Sequence, residues 1–289
     1  MQIQSIKRLI ADTTNRVMLD HTLSFAAALS YYFVMAFFPA LIMLAALLAF
    51  LPIPNLFDTM ISALARVAPS EGMGLVRAIL ADVVSPSRGF LLSFGVLGVL
   101  WSCSSGFAAI IEALDVAFDV PETRPIWKTR LLSLELSLLI GGQVTVAFAF
   151  MVVGPQFGAL LVAHLGIHAG FVAAWPVLRY VFSFSFIVIA VEELYLLAPN
   201  IKQRFAETLP GAIVAVAGWI LLSDALSYYF RHVANLNRTY GVLGGGVALL
   251  IWLYWSGFLM LVGAALNSQI VRHKGMERLR RKPVELGRV

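Results

Sequence analysis

Apolar residues in this chain gather into six long runs, near Thr22–Phe50, Phe90–Ile111, Leu131–Val153, Val172–Leu197, Leu209–Phe230 and Val242–Leu266. Each reaches or approaches the roughly 20 residues that an α-helix needs to cross a hydrocarbon core. Hydrocarbon offers peptide groups no hydrogen-bond partner, so a span is either a helix or a strand of a closed barrel. Barrel strands alternate apolar and polar positions, whereas these runs are unbroken. The pattern predicts an all-α, polytopic membrane protein with six transmembrane helices, residues 1–289 forming a single membrane domain.

Between the first two spans, residues 51–89 carry a pattern of their own. Leu56, Phe57, Met60, Ile61, Leu64 and Val67 recur at helical spacing, with Asp58, Ser62 and Arg66 on the other face. After Pro69-Ser70-Glu71-Gly72 a second set follows: Leu75, Val76, Ile79, Leu80 and Val83. This predicts an amphipathic helical hairpin that lies on the outer membrane interface or caps the bundle. The connection over 154–171 is nearly uncharged and is expected to dip back toward lipid.

Composition agrees with a membrane domain: of 289 residues, 60% are hydrophobic and 13% charged. The net charge of +5 does not point to nucleic acid, because seven of the 21 Lys and Arg residues lie between Arg272 and Arg288, directly after the last span. That basic tail, 267–289, suits anionic lipid headgroups. Fifteen Lys and Arg fall on the side of the two termini and five on the opposite side. The positive-inside rule therefore puts both termini in the cytoplasm and the hairpin in the periplasm. The first run is too long for a cleaved signal peptide and is expected to stay as an anchor. The single cysteine, Cys103, excludes an intrachain disulfide.

Charges inside spans are costly and mark candidate sites. Arg179 in the fourth span and Asp224 in the fifth sit at matching depth on consecutive antiparallel helices, about 10 Å below the outer interface at roughly 1.5 Å per residue. They are expected to pair beside a polar or amphiphile-accessible cavity, or else Arg179 snorkels outward next to Trp175 and Tyr180 while Asp224 faces water. Tyr31 and Tyr32 put hydroxyls near the inner face of the first span. Gly241, Gly244, Gly245 and Gly246 open the last span; the Gly241–Gly245 spacing permits close helix packing, or their free N–H groups hold an anion. Glu135, Glu192 and Glu193 fall near basic loops and are expected to balance interfacial charge. His164 and His168 lack a third ligand nearby, and the five histidines are scattered, so no metal or cofactor site is expected.

Three segments together resemble the bacterial YihY/BrkB family of inner-membrane proteins. They are Phe25-Ala26-Ala27-Ala28-Leu29-Ser30-Tyr31-Tyr32 running to Phe38-Pro39, the basic Arg124-Pro125-Ile126-Trp127-Lys128 with Arg130, and Tyr240-Gly241-Val242-Leu243-Gly244-Gly245 followed by Leu250-Ile251-Trp252-Leu253-Tyr254. The resemblance runs from about Ile6 to Asn267 and implies a six-helix bacterial inner-membrane protein. It also carries an old ribonuclease label regarded as a misassignment, so no enzyme is expected. Two departures stand out: Ala265 where members commonly show glutamate, and Asp115 where asparagine is usual. The function expected is translocation of a lipid or another amphiphilic or anionic solute, with Arg179, Asp224, Tyr31, Tyr32, Gly241, Gly244 and Gly245 as candidate substrate-binding residues. The alternatives are a non-transporting scaffold or envelope-integrity factor and, behind these, a membrane ribonuclease. Membrane lipids are the expected partners, and an oligomer is compatible with the composition.

Overall fold

The computed structural model describes residues 2–49, 56–65, 73–74, 76–77, 89–165, 169–232 and 244–281. The elements are α1 (Gln2–Leu19), α2 (Thr22–Ala49), α3 (Leu56–Leu64), α4 (Gly89–Phe118), α5 (Ile126–Leu165), α6 (Ala169–Leu197), α7 (Phe205–His232) and α8 (Gly244–Arg281). The six helices α2 and α4–α8 coincide with the six apolar runs. Among the described residues, α4–α8 each contain a stretch long and apolar enough to cross a membrane, and α2 contributes Thr22–Phe37. The helices pack in the circular order α2, α4, α5, α6, α7, α8, with α8 returning to α2 and also touching α4.

Helix lengths depart from the sequence expectation at three places. The connection over 154–171 is mostly helix, since α5 continues to Leu165 and α6 begins at Ala169. The basic tail is helical as far as Arg281, because α8 simply continues past its apolar stretch. Before the first span, α1 is an additional helix whose mixed apolar and charged sequence disguised it; it packs against α8 and α2.

The first arm of the expected hairpin is α3, which packs against α5 and α2. Met60, Ile61 and Leu64 are buried while Asp58 and Ser62 are exposed, so this face caps the bundle. Of the second arm, Met73 and Val76 are buried and Gly74 and Arg77 exposed; the rest lies outside the described residues.

The largest core cluster joins Leu29, Leu114, Leu136, Tyr195, Ala212 and Leu261 from six helices. It lies toward the end that carries the two short loops 119–125 and 198–204. These loops are sewn together by polar contacts: the Asn200 N–H donates to Asp115 (2.7 Å), its side-chain amide donates to Thr123 (2.7 Å), and Arg124 donates to the Ala198 carbonyl (2.9 Å). Hydrocarbon supplies no hydrophobic drive between helices, so contacts of this kind and close packing hold such a bundle.

Candidate functional site

Cross-helix contacts fix a common depth scale. The indole of Trp219 on α7 donates to Ser256 on α8 (3.1 Å), and Trp252 on α8 donates to Ser223 on α7 (3.0 Å). Leu29 on α2 lies over Gly257, and Tyr180 on α6 faces the same groove as Ile220 on α7. At about 1.5 Å per residue, Tyr31, Arg179, Asp224 and Tyr254 then fall within about 8 Å of one level. That level is roughly the middle of the apolar run of α8. Two lateral grooves open there. One of about 840 Å³ runs between α6 and α7 past Pro176, Tyr180, Ser185 and Ile220. The other, about 650 Å³, lies between α2 and α8 and is lined by Ser30, Tyr31, Val34, Tyr254 and Trp255.

The expected Arg179–Asp224 ion pair is not formed. Arg179 lays its stem on Gly154 of α5 and its guanidinium over the Tyr180 ring, 4.9 Å from the centroid. Asp224 is exposed on α7 and makes no ion pair among the described residues. Equal depth did not bring them together: Arg179 packs on α5 and on its own helix neighbour Tyr180. Tyr31 is 58% exposed and stands edge-on to Tyr32, ring centroids 5.5 Å apart. Gly244 and Gly245 are buried at the start of α8, and Gly241 lies outside the described residues. His168 lies outside them as well. Among the described residues no three metal-binding side chains gather.

Among the described glycines, the tightest surroundings are at Gly211 and Gly263. A Cβ on Gly211 would run into the Gly263 carbonyl and the Asn267 amide, and one on Gly263 would meet the Tyr195 hydroxyl and the Gly211 carbonyl. Fully buried Asn267 uses both ends of its amide here. It accepts from the Gly211 N–H (2.8 Å) and donates to the Thr208 carbonyl (2.6 Å), while Tyr195 donates to the Met260 carbonyl. Thr208 in turn donates its hydroxyl to Glu192, so one hydrogen-bonded chain links α6, α7 and α8.

Glu192 is the residue that sequence proximity misjudged. It is wholly buried, makes no ion pair with Lys202 or Arg204, and keeps one carboxyl oxygen without a hydrogen bond. Glu193 likewise takes its partner from a neutral side chain, Gln143 on α5 (2.6 Å), while Glu135 is exposed. An unpaired buried carboxylate costs several kcal/mol. The nearby first turn of α7 returns at most about 2 kcal/mol of that. The one sequence cue was spacing: Glu192 shares a helix face with Tyr195, three residues on.

At the same end, α4 closes with Asp119 in the left-handed region (φ 59°). The Asp119 N–H reaches the Val116 carbonyl and the Val120 N–H the Asp115 carbonyl, both 3.0 Å, which is a Schellman closure normally given to glycine. The Asp119 carboxylate is captured by Arg272 of α8 and by Arg16 of α1. The Arg272 hydrogen bond, then the Arg16 charge, hold it below its ordinary titration range. His273 reaches Asp12 at 2.8 Å, so α1 is clamped across the ends of α4 and α8.

Apolar helices packed side by side in a closed ring define an all-α polytopic membrane protein. The chain belongs to the BrkB family: the family model described as Virulence factor BrkB matches residues 13–285. It is 35% identical to the ribonuclease-like protein YfkH of Bacillus subtilis, covering 90% of this chain and 94% of that one. It is 26% identical to a UPF0761 membrane protein of Alkalilimnicola ehrlichii and to the UPF0761 membrane protein Smlt0865 of Stenotrophomonas maltophilia, covering 88% and 94% of this chain. The chain spans only 56% and 61% of those two relatives' lengths. No solved structure matches.

Proposed function

We propose that this protein is a bacterial inner-membrane translocator of a lipid or another amphiphilic anion. The observation that carries this reading is the shared mid-depth level of two laterally open grooves, one lined by Tyr31 and Tyr254 and the other by Tyr180, over whose ring Arg179 lies. A tyrosine hydroxyl facing hydrocarbon without a partner loses several kcal/mol relative to water. A substrate's polar part passing the midplane offers that partner while its chains stay in the groove. Discontinuous or polar helix segments at mid-depth are where transporters commonly hold their substrates. Tyr32, Asp224, Gly241, Gly244 and Gly245 complete the candidate set. The word ribonuclease in YfkH's name belongs to that protein.

In proteoliposomes carrying a fluorescent anionic lipid analogue, wild-type protein is expected to speed exchange between leaflets. Tyr31→Phe and Arg179→Ala should each slow it about tenfold, the effect of losing roughly 1.4 kcal/mol of interaction. Wild-type rates equal to those of protein-free vesicles would instead favour a non-transporting scaffold.

Orientation is tested separately. With both termini and the 119–125 loop cytoplasmic, an impermeant thiol reagent added outside should label Glu71→Cys and spare Glu122→Cys, both in a Cys103→Ser background. The reverse pattern overturns the orientation.

A further inference from the structure

Glu192 plays no part in the translocation reading, yet it sits where three helices are tied together. Its burial is complete, and one of its oxygens has no hydrogen bond. The surrounding charged and titratable groups are engaged elsewhere or stand apart. Tyr195 on the same helix donates to Met260, and Glu193 is held by Gln143 of α5. Arg130 of α5 donates to Ser105, and Arg272 of α8 pairs with Asp119. Lys202 and Arg204 are exposed and form no ion pair with Glu192, and Glu207 is half-buried in the first turn of α7.

Proton counting points to the state of the group. The Thr208 hydroxyl oxygen lies against Glu192 and also 3.3 Å and 3.4 Å from the Phe205 and Arg204 carbonyls. A threonine hydroxyl has one proton and two acceptor lone pairs. With an ionised Glu192, that one proton is shared among three acceptors and the second carboxylate oxygen stays bare. With a protonated Glu192, the acid donates to Thr208, Thr208 donates to a carbonyl of its own first turn, and the remaining carboxyl oxygen is only a neutral acceptor. Every proton then has a place.

We propose that Glu192 is a proton-binding site: a neutral carboxylic acid that closes the α6–α7–α8 junction and loosens it on releasing its proton. The proton passes to water at the end carrying the 119–125 and 198–204 loops, leaving a buried carboxylate whose second oxygen has no protein donor. The chain from Glu192 through Thr208 and Asn267 to Gly211 transmits that change across α7 to α8, so proton occupancy sets how tightly these helices close. This inference needs no transported substrate and stands or falls apart from the translocation reading.

Infrared spectra of the full-length protein in lipid nanodiscs test it. At neutral pH the wild type is expected to show a protonated-carboxyl band that is missing in Glu192→Gln and that fades reversibly at alkaline pH. Glutamine keeps an N–H donor toward Thr208, so that variant should fold. Should it fail to fold, Thr208→Val serves instead: loss of the hydrogen-bond partner should move the band to higher frequency. A spectrum in which neither substitution removes or moves a protonated-carboxyl band overturns the proposal, as does a band that does not fade and recover with pH. An ionised Glu192 holding a monovalent cation would appear as the first of these results.

Discussion

Gly211→Ala is expected to prevent the bundle from closing, with little folded protein recovered from membranes. The added methyl would occupy the space of the Gly263 carbonyl and the Asn267 amide, and neither is the free end of a flexible chain. The Gly263 carbonyl is backbone, and Asn267 is fixed at both ends by the Gly211 N–H and the Thr208 carbonyl. Relief requires α7 and α8 to separate. That would break two buried hydrogen bonds, at about 1–3 kcal/mol for each group left unsatisfied, and open gaps in the Ala212–Ala215–Leu261–Ala264 packing. The combined loss, on the order of 4 kcal/mol or more, is a large part of a typical folding stability. Gly142→Ala on α5, where a Cβ meets nothing within 4 Å, is the matched control and should behave as wild type. The measurement is monodispersity and thermal unfolding of the purified proteins in detergent; a Gly211→Ala protein as stable as Gly142→Ala would show that the helices do not approach this closely.

The spans were legible because the signal that specifies them is long and local. Runs of about twenty mostly apolar residues favour membrane helices, and the six runs coincide with α2 and α4–α8. The helix ends were less legible, since α5 and α8 continue through residues that are merely compatible with helix: Gly154 to Leu165 in one case, Ser268 to Arg281 in the other. What joins the helices was least legible. Gly211 and Asn267 are far apart in sequence, and neither stands out until the fold brings them together. The sequence offers a more conspicuous glycine cluster at Gly241–Gly246, part of which lies outside the described residues, while the tight contact between α7 and α8 is formed by two isolated glycines. Glu192 lies near Lys202 and Arg204 along the chain, so charge balance was the natural expectation. Those bases follow the turn into the 198–204 loop and the start of α7, while Glu192 points back into the bundle. A pairing inferred from depth, as for Arg179 and Asp224, omits the other partners within reach, here Gly154 and the Tyr180 ring for Arg179.

The loop junction offers the second large effect. Arg124 donates to the Ala198 carbonyl and to Glu122, and its guanidinium lies 3.7 Å from Asp115, whose side chain is 5% exposed. Removing the guanidinium with Arg124→Ala leaves the Asp115 carboxylate buried beside Glu122 without its cation. Breaking a buried pair in this way costs about 3–5 kcal/mol, tempered here by the long separation, so a loss of about 3 kcal/mol is expected. Asp115→Asn should be nearly neutral, because the asparagine oxygen still accepts from the Asn200 N–H that Asp115 now holds at 2.7 Å. Asparagine is also the residue that the family resemblance leads one to expect at this position. In the Asp115→Asn background no stranded charge remains, and Arg124→Ala should then cost only about 1 kcal/mol for the lost bond to Ala198. A double-mutant cycle on unfolding in detergent reads the difference as a coupling of about 2 kcal/mol. Additive losses from the two substitutions would mean that Arg124 acts only through the Ala198 carbonyl, and that the charge on Asp115 has no part in holding the two loops together.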